Sequence, residues 1–180
     1  MEQVTKSQRR AAKVINFGVL YGMSPKGLAD AADMSFYEAK KFIENYFDLR
    51  APIRKYLDKT LEDGRTKGYV QTLFGRRRPT PDLHAPNYVV RTAAERAAAN
   101  MPIQGTEADL MKKAMLAVDK ALPDGAQIIL QIHDSLIIEC DEKLKDQVTE
   151  ILKTQMESVA PELPVKLAVD ATTGHDWGEL

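Results

Sequence analysis

The chain runs to 180 residues, 44% of them hydrophobic and 28% charged, a balance that suits a soluble globular protein and includes no apolar run able to span a bilayer. One cysteine, Cys140, excludes an internal disulfide, and three scattered histidines offer no zinc-type ligand cluster. The net charge of −1 excludes a uniformly basic nucleic-acid binder but hides a split: residues 1–96 carry 18 Lys and Arg against 11 Asp and Glu, and residues 97–180 carry 7 against 15.

Such a split fits a basic half that follows phosphates and an acidic half that holds divalent metal, or merely solvated surface unevenly shared. The opening MEQVTKSQRR lacks the apolar core of a signal peptide, so no export is expected. A helix is predicted from Lys6 to Tyr21, closed by Gly22. Within it Arg9, Lys13, Phe17 and Tyr21 recur every four residues. Steps of four advance about 40° around a helix, so the four side chains share a face about 120° wide and about 18 Å long. Two cations at one end and two rings at the other suit a ligand with a polyanionic end and a flat end, such as a nucleoside triphosphate. The plainer alternative is an amphipathic helix whose Phe and Tyr are core.

Ser24-Pro25 reads as an N-cap followed by proline in the first turn, opening a short helix through Ala32. Ser35-Phe36-Tyr37-Glu38 is a capping box for a helix to about Tyr46, and a further helix is predicted from Pro52 to Lys67. GYVQTLFGRRRPTP carries the signals of a β-ribbon, with Arg76, Arg77 and Arg78 as a phosphate contact or a solvated cluster. Two helices are predicted at Asn87–Asn100 and Gln104–Ala121, separated at Pro102. After the turn at 123–125, QIILQIHDSLIIEC reads as a β-hairpin with His133 and Asp134 at its turn. A helix from Glu142 to Val159 and a strand at Pro164–Asp170 complete the plan. The class is α+β, with an antiparallel sheet backed by helices.

Five segments in fixed order carry a resemblance. They are R-x-x-x-K-x-x-x-F-G-x-x-Y-G at 9–22, GYVQTLFGRRR at 68–78, RAAANMPIQGTEADLMK at 96–112, LQIHD at 130–134, and G-x-x-W at Gly174–Trp177. Over essentially its whole length the chain resembles the polymerase domain of the A family of DNA polymerases. That resemblance implies template-directed DNA synthesis: transfer of a nucleotide from a dNTP to a primer 3′-hydroxyl by a two-metal mechanism, with two Mg2+ ions. It implies DNA replication or repair by a monomer at the nucleoid in a bacterial cytoplasm, with primer-template DNA and dNTPs as partners and no membrane. Residues 1–84 would form a helical fingers subdomain with its β-ribbon near 68–80, and 85–180 part of a palm with its antiparallel sheet.

By the same resemblance Arg9 and Lys13 contact the triphosphate, Lys13 nearest the α-phosphate, where negative charge develops. Phe17 lies against the sugar, and Tyr21 fills the template-base stacking position. Gly18 and Gly22 let backbone and ligand approach closely. Arg96, Asn100 and Gln104 meet the minor groove and terminal base pair, where every correct pair presents the same acceptors. His133 contacts the primer terminus, and Asp134 binds catalytic metal.

The chain departs from the family pattern in two places. Ser135 stands where the family commonly has Glu after the Asp, and a neutral hydroxyl is a poor ligand for a hard cation. The family's D-x-S-x-x-E strand is expected before the fingers, upstream of Met1 together with the thumb and any exonuclease domain. Asp33-Met-Ser35-Phe-Tyr-Glu38 matches its letters in the wrong place and is already explained by the capping box. With one metal carboxylate the 180 residues alone are expected not to extend a primer. The alternative reading is a catalytically silent module that binds nucleic acid or nucleotide.

Overall fold

The computed structural model describes residues 4–180, with the backbone alone at 6–8, 10 and 11. The elements are α1 (Lys6–Leu20), α2 (Pro25–Ala32), α3 (Phe36–Asp48), α4 (Ala51–Lys67), β1 (Tyr69–Gln71), β2 (Arg77–Pro79), α5 (Tyr88–Ala121), β3 (Ala126–Ile132), β4 (Ser135–Cys140) and α6 (Lys145–Glu157). The class is α+β, mostly helical, with two antiparallel two-stranded sheets among the described residues, β1–β2 and β3–β4. The chain divides into two compact units, 1–102 and 103–180.

In the first unit, α1, α2 and α3 close on Val19, Leu28, Ala39 and Tyr46. Local chemistry fixes each helix start. Ser24 accepts from the Gly27 N–H at 3.1 Å, with Pro25 occupying the first turn, where its missing N–H costs nothing. Ser35 Oγ accepts from the Glu38 N–H at 3.2 Å while the Glu38 carboxylate accepts from the Ser35 N–H at 2.9 Å. The capping box is therefore real, and Ser35 and Glu38 are committed to it. Asp33 is the left-handed residue that ends α2. A second cluster holds the ribbon: Val70 and Leu83 pack with Ala98 and Met101, and Thr80 Oγ1 donates to the Gly64 carbonyl at 2.9 Å.

The expected break at Pro102 is not there. α5 runs as one helix from Tyr88 to Ala121 with Pro102 inside it. Proline removes one i→i−4 bond and crowds the carbonyl four residues back, a local cost that the strongly helix-forming alanine-rich stretch before it helps to offset. What changes at Pro102 is the unit boundary.

In the second unit Met111, Ala114 and Val118 pack with Met156 of α6, and Ile128, Leu136 and Ile138 of the hairpin pack against them. β3 and β4 pair from Ala126↔Cys140 to Ile132↔Ser135, with a register shift between Ile128 and Leu130 that makes Ile129 a bulge. The strand expected at Pro164–Asp170 is absent. Its alternation survives, since Leu167 and Val169 are half-buried while Lys166, Ala168 and Asp170 are exposed. A strand, however, is a pairing, and among the described residues this segment joins no ladder. Its Val169 N–H donates instead to the Glu157 carboxylate at 3.0 Å.

Candidate functional site

Helix α1 shows two opposed faces. Ile15 and Val19 turn inward, Val19 only 1% exposed. They lie about 200° around the helix from Lys13 and Phe17, so the four-residue stripe points away from the core. Arg9 and Lys13 are exposed, and Phe17 is 49% exposed. Phe17 and Tyr21 stack on each other with ring centroids 6.2 Å apart and planes 10° from parallel. Phe17 is therefore not a core ring, while Tyr21, just past the end of the helix, is half-buried. Neither Arg9 nor Lys13 forms an ion pair among the described residues, and α1 contains no acidic residue that could offer one. From the core side the Tyr46 hydroxyl donates to Asn16 Oδ1 at 2.8 Å, fixing the helix's rotation.

The end of α1 is a Schellman cap. Met23 N–H donates to the Gly18 carbonyl at 2.8 Å and Gly22 N–H to the Val19 carbonyl at 3.2 Å, with Gly22 at φ +83°. Each of the two glycines also has a protein side chain against it. The Met23 thioether folds onto Gly18, its Sδ 3.0 Å from where a Cβ would stand. At Gly22 the neighbour is Arg96: a methyl group there would meet Arg96 Cγ at 3.0 Å.

Arg96 and Asn100 lie on α5 before the unit boundary, Arg96 exposed and Asn100 half-buried; Gln104 lies after it and is exposed. His133 and Asp134 form the two-residue turn of the β3–β4 hairpin, both exposed. His133 has φ +52°, a left-handed conformation that costs a residue with a Cβ about 1–3 kcal/mol unless its surroundings impose it. Part of what imposes it is visible: Gln131 Nε2 donates to the His133 carbonyl at 2.7 Å. The turn thereby projects the Asp134 carboxylate from a paired, hydrogen-bonded support. The two magnesium ions expected from the resemblance are a separate matter. Among the described residues no three His, Cys, Asp or Glu side chains converge to hold a metal. Asp134 supplies one carboxylate, and the residues present do not make a metal centre.

A family model described as DNA polymerase family A matches residues 1–179. The chain belongs to DNA polymerase family A. It is 50% identical over 177 residues to the thermostable DNA polymerase I of Thermus aquaticus, covering 98% of the chain and 21% of that relative. With DNA polymerase I of Deinococcus radiodurans it shares 50% identity over 175 residues, 97% of the chain and 18% of the relative. For DNA polymerase I of Pseudomonas aeruginosa the identity is 44%, over 99% of the chain and 20% of the relative. The chain thus spans about a fifth of the length of the curated relatives it matches. Among solved structures, the POL domain of Pol1 from M. smegmatis, in complex with DNA primer-template and dNTP, superposes with a TM-score of 0.82 at 40% identity, over 89% of this chain and 29% of that one.

For the family, the stripe and the hairpin turn were both legible in sequence; two supporting side chains were not. Gln131 was visible only as part of LQIHD. Its bond to the His133 carbonyl depends on the left-handed turn, which spacing along the chain does not announce. The packing of Arg96 against Gly22 crosses more than seventy residues of chain and left no local trace.

Proposed function

We propose that this chain is the fingers segment (1–84) and part of the palm (85–180) of an enzyme that carries out template-directed DNA synthesis, with primer-template DNA and dNTPs as its partners. The observation that carries this reading is the outward-facing stripe of α1. Arg9 and Lys13, which pair with no carboxylate among the described residues, stand two turns and one turn from the stacked Phe17–Tyr21 pair, a spacing that suits a triphosphate and its nucleoside. Phosphoryl transfer asks the protein chiefly for position and for cations aimed at developing charge. In this reading Arg9 holds the distal phosphates and Lys13 faces the α-phosphate. Phe17 lies against the sugar, and Tyr21 occupies the template-base stacking position. Arg96, Asn100 and Gln104 test the minor groove for the acceptors common to all correct base pairs. His133 meets the primer terminus.

Family A DNA polymerases are generally divalent-metal dependent. Asp134 is the carboxylate this chain would contribute, and one exposed carboxylate alone does not hold such an ion. That shortfall, with Ser135 beside Asp134, favours a second reading for the 180 residues taken alone: a module that binds without catalysing.

Primer extension separates the two. The purified 180-residue chain is expected to incorporate no more nucleotide than its Asp134→Ala variant. A hybrid of Thermus aquaticus DNA polymerase I carrying residues 1–180 in place of its own matching segment is expected to extend primers. Asp134→Ala in that hybrid should then lower incorporation by at least about a thousandfold. An inactive, folded hybrid, or one indifferent to Asp134, would overturn the proposal.

A further inference from the structure

Arg96 does two things with one side chain. Its methylene stem lies against the C-terminal cap of α1, with Cγ 3.0 Å and Cδ 3.4 Å from the position a Cβ on Gly22 would take. Beyond the stem, the residue is exposed, and its guanidinium forms no ion pair among the described residues. An arginine can bury its stem along a surface and keep its charge in water. A buttress alone would need no charge, and a phosphate or base contact alone would need no fitted stem.

The cap it touches is short of other support. Gly22 sits at φ +83° and is exposed, and the cap rests on two backbone hydrogen bonds and on the Met23 side chain. Tyr21, the last residue of the nucleotide-facing stripe, precedes Gly22 directly. Any shift of the Arg96 stem therefore reaches the aromatic end of the stripe through one peptide unit.

We infer that Arg96 is a positioning residue for α1, its stem setting the rest position of the Tyr21–Gly22 turn while its guanidinium engages primer-template DNA. The two halves of one side chain thereby couple occupancy of the DNA to the presentation of the nucleotide face. This coupling rests on the roles proposed above for α1 and α5; the stem contact does not.

Two substitutions separate stem from charge. Arg96→Met keeps the methylenes and removes the guanidinium, whereas Arg96→Ala removes both. Hydrogen exchange on the 180-residue chain reads the stem without any ligand. The Gly22 and Met23 amides are expected to exchange at least about fivefold faster in Arg96→Ala and within about twofold of the parent in Arg96→Met. Equal acceleration in both variants, or none in either, overturns the inference.

The coupling is read in the polymerase hybrid. Arg96→Ala should raise the KM for dNTP about fivefold or more while kcat stays within about twofold, and Arg96→Met, which keeps the stem and loses the DNA contact, should raise it by an intermediate amount. Both variants should weaken primer-template binding, because both lose the guanidinium's contact with the minor groove. A KM raised equally in both variants overturns the positioning role of the stem, and a parental KM in Arg96→Met overturns the coupling. If the unsubstituted hybrid extends no primer, the polymerase reading has failed, and the exchange result still decides the Arg96 contact.

Discussion

Helices α1 and α4 are both rich in basic side chains and dispose of them in opposite ways. On α4, Arg54 pairs with Asp58 at 3.1 Å, and Asp63 takes both Lys59 at 3.0 Å and Lys67 at 3.1 Å. Arg65 reaches across to Glu95 on α5. On α1, Arg9 and Lys13 face solvent with no such partner among the described residues. The i,i+4 pairs of α4 are the local means by which a charged helix face stabilises itself. A helix that forgoes them leaves repulsion between its own cations in place, and that arrangement is explicable when an anion completes it. Basic residues in the first unit thus divide into those paired within the fold and those with no carboxylate partner among the described residues. The charge surplus of residues 1–96 counts both kinds alike.

The largest test sets one cation of each kind side by side. In the polymerase hybrid, Lys13→Ala is expected to lower kcat about 100- to 1000-fold, the usual loss when a group aimed at developing charge is removed. Lys59→Ala, the same substitution on α4, should change kcat by less than about twofold. Comparable losses in single-turnover incorporation would break the distinction between the two helices.

The fold was legible wherever its cause was local. Ser24-Pro25 and the Ser35–Glu38 box placed the starts of α2 and α3 to within a residue, because a cap is a contact between neighbours. Gly22 ended α1 for the same reason, and the β-ribbon and the His133–Asp134 hairpin announced themselves by their turns. Two expectations failed where the deciding partner lay elsewhere. Pro102 looked like a terminator, yet one missing hydrogen bond did not outweigh the alanines before it. PVKLAVD had a strand's alternation, but no letter in it says whether a neighbouring edge exists. The stripe of α1 was legible because helical spacing alone assembles it. Its orientation away from the core, and the cap it shares with Arg96, needed the packed structure.

A second test asks what holds α4 in place, since exposed ion pairs are weak. The answer is the apolar junction at Gly64, where Leu83, 1% exposed, sits so close that its Cδ1 would lie 2.8 Å from an added Cβ. Leu83→Ala should destabilise the chain by about 2–5 kcal/mol, as large-to-small changes in a well-packed core do. Lys13→Ala, on an exposed face, should change stability by less than about 0.5 kcal/mol. Urea unfolding monitored by circular dichroism distinguishes them. A stability loss at Lys13 approaching that at Leu83 would make the stripe structural after all.

The smallest expected effect concerns pH. Asp63 accepts hydrogen bonds from Lys59 and then Lys67, and these hold its carboxyl below the ordinary aspartate range against the slight opposing effect of burial. A carboxylate whose folded pKa is depressed contributes stability above its unfolded value, about 3.9, and loses it as pH falls through the folded value. The α4 network should therefore be at full strength at neutral pH and fade only below about pH 3.9. Comparing the parent with Asp63→Asn in urea at a series of pH values isolates the contribution. The parent's small advantage should be flat from pH 7 to pH 5 and close as the medium becomes more acid. The exposed lysines keep any such advantage modest, and added salt should shrink it further. An advantage that grew on acidification would mean that Asp63 is raised rather than depressed, and that Lys59 and Lys67 are not the answered cations they appear beside it. The same titration on α1 has nothing to report, because that helix carries no carboxylate.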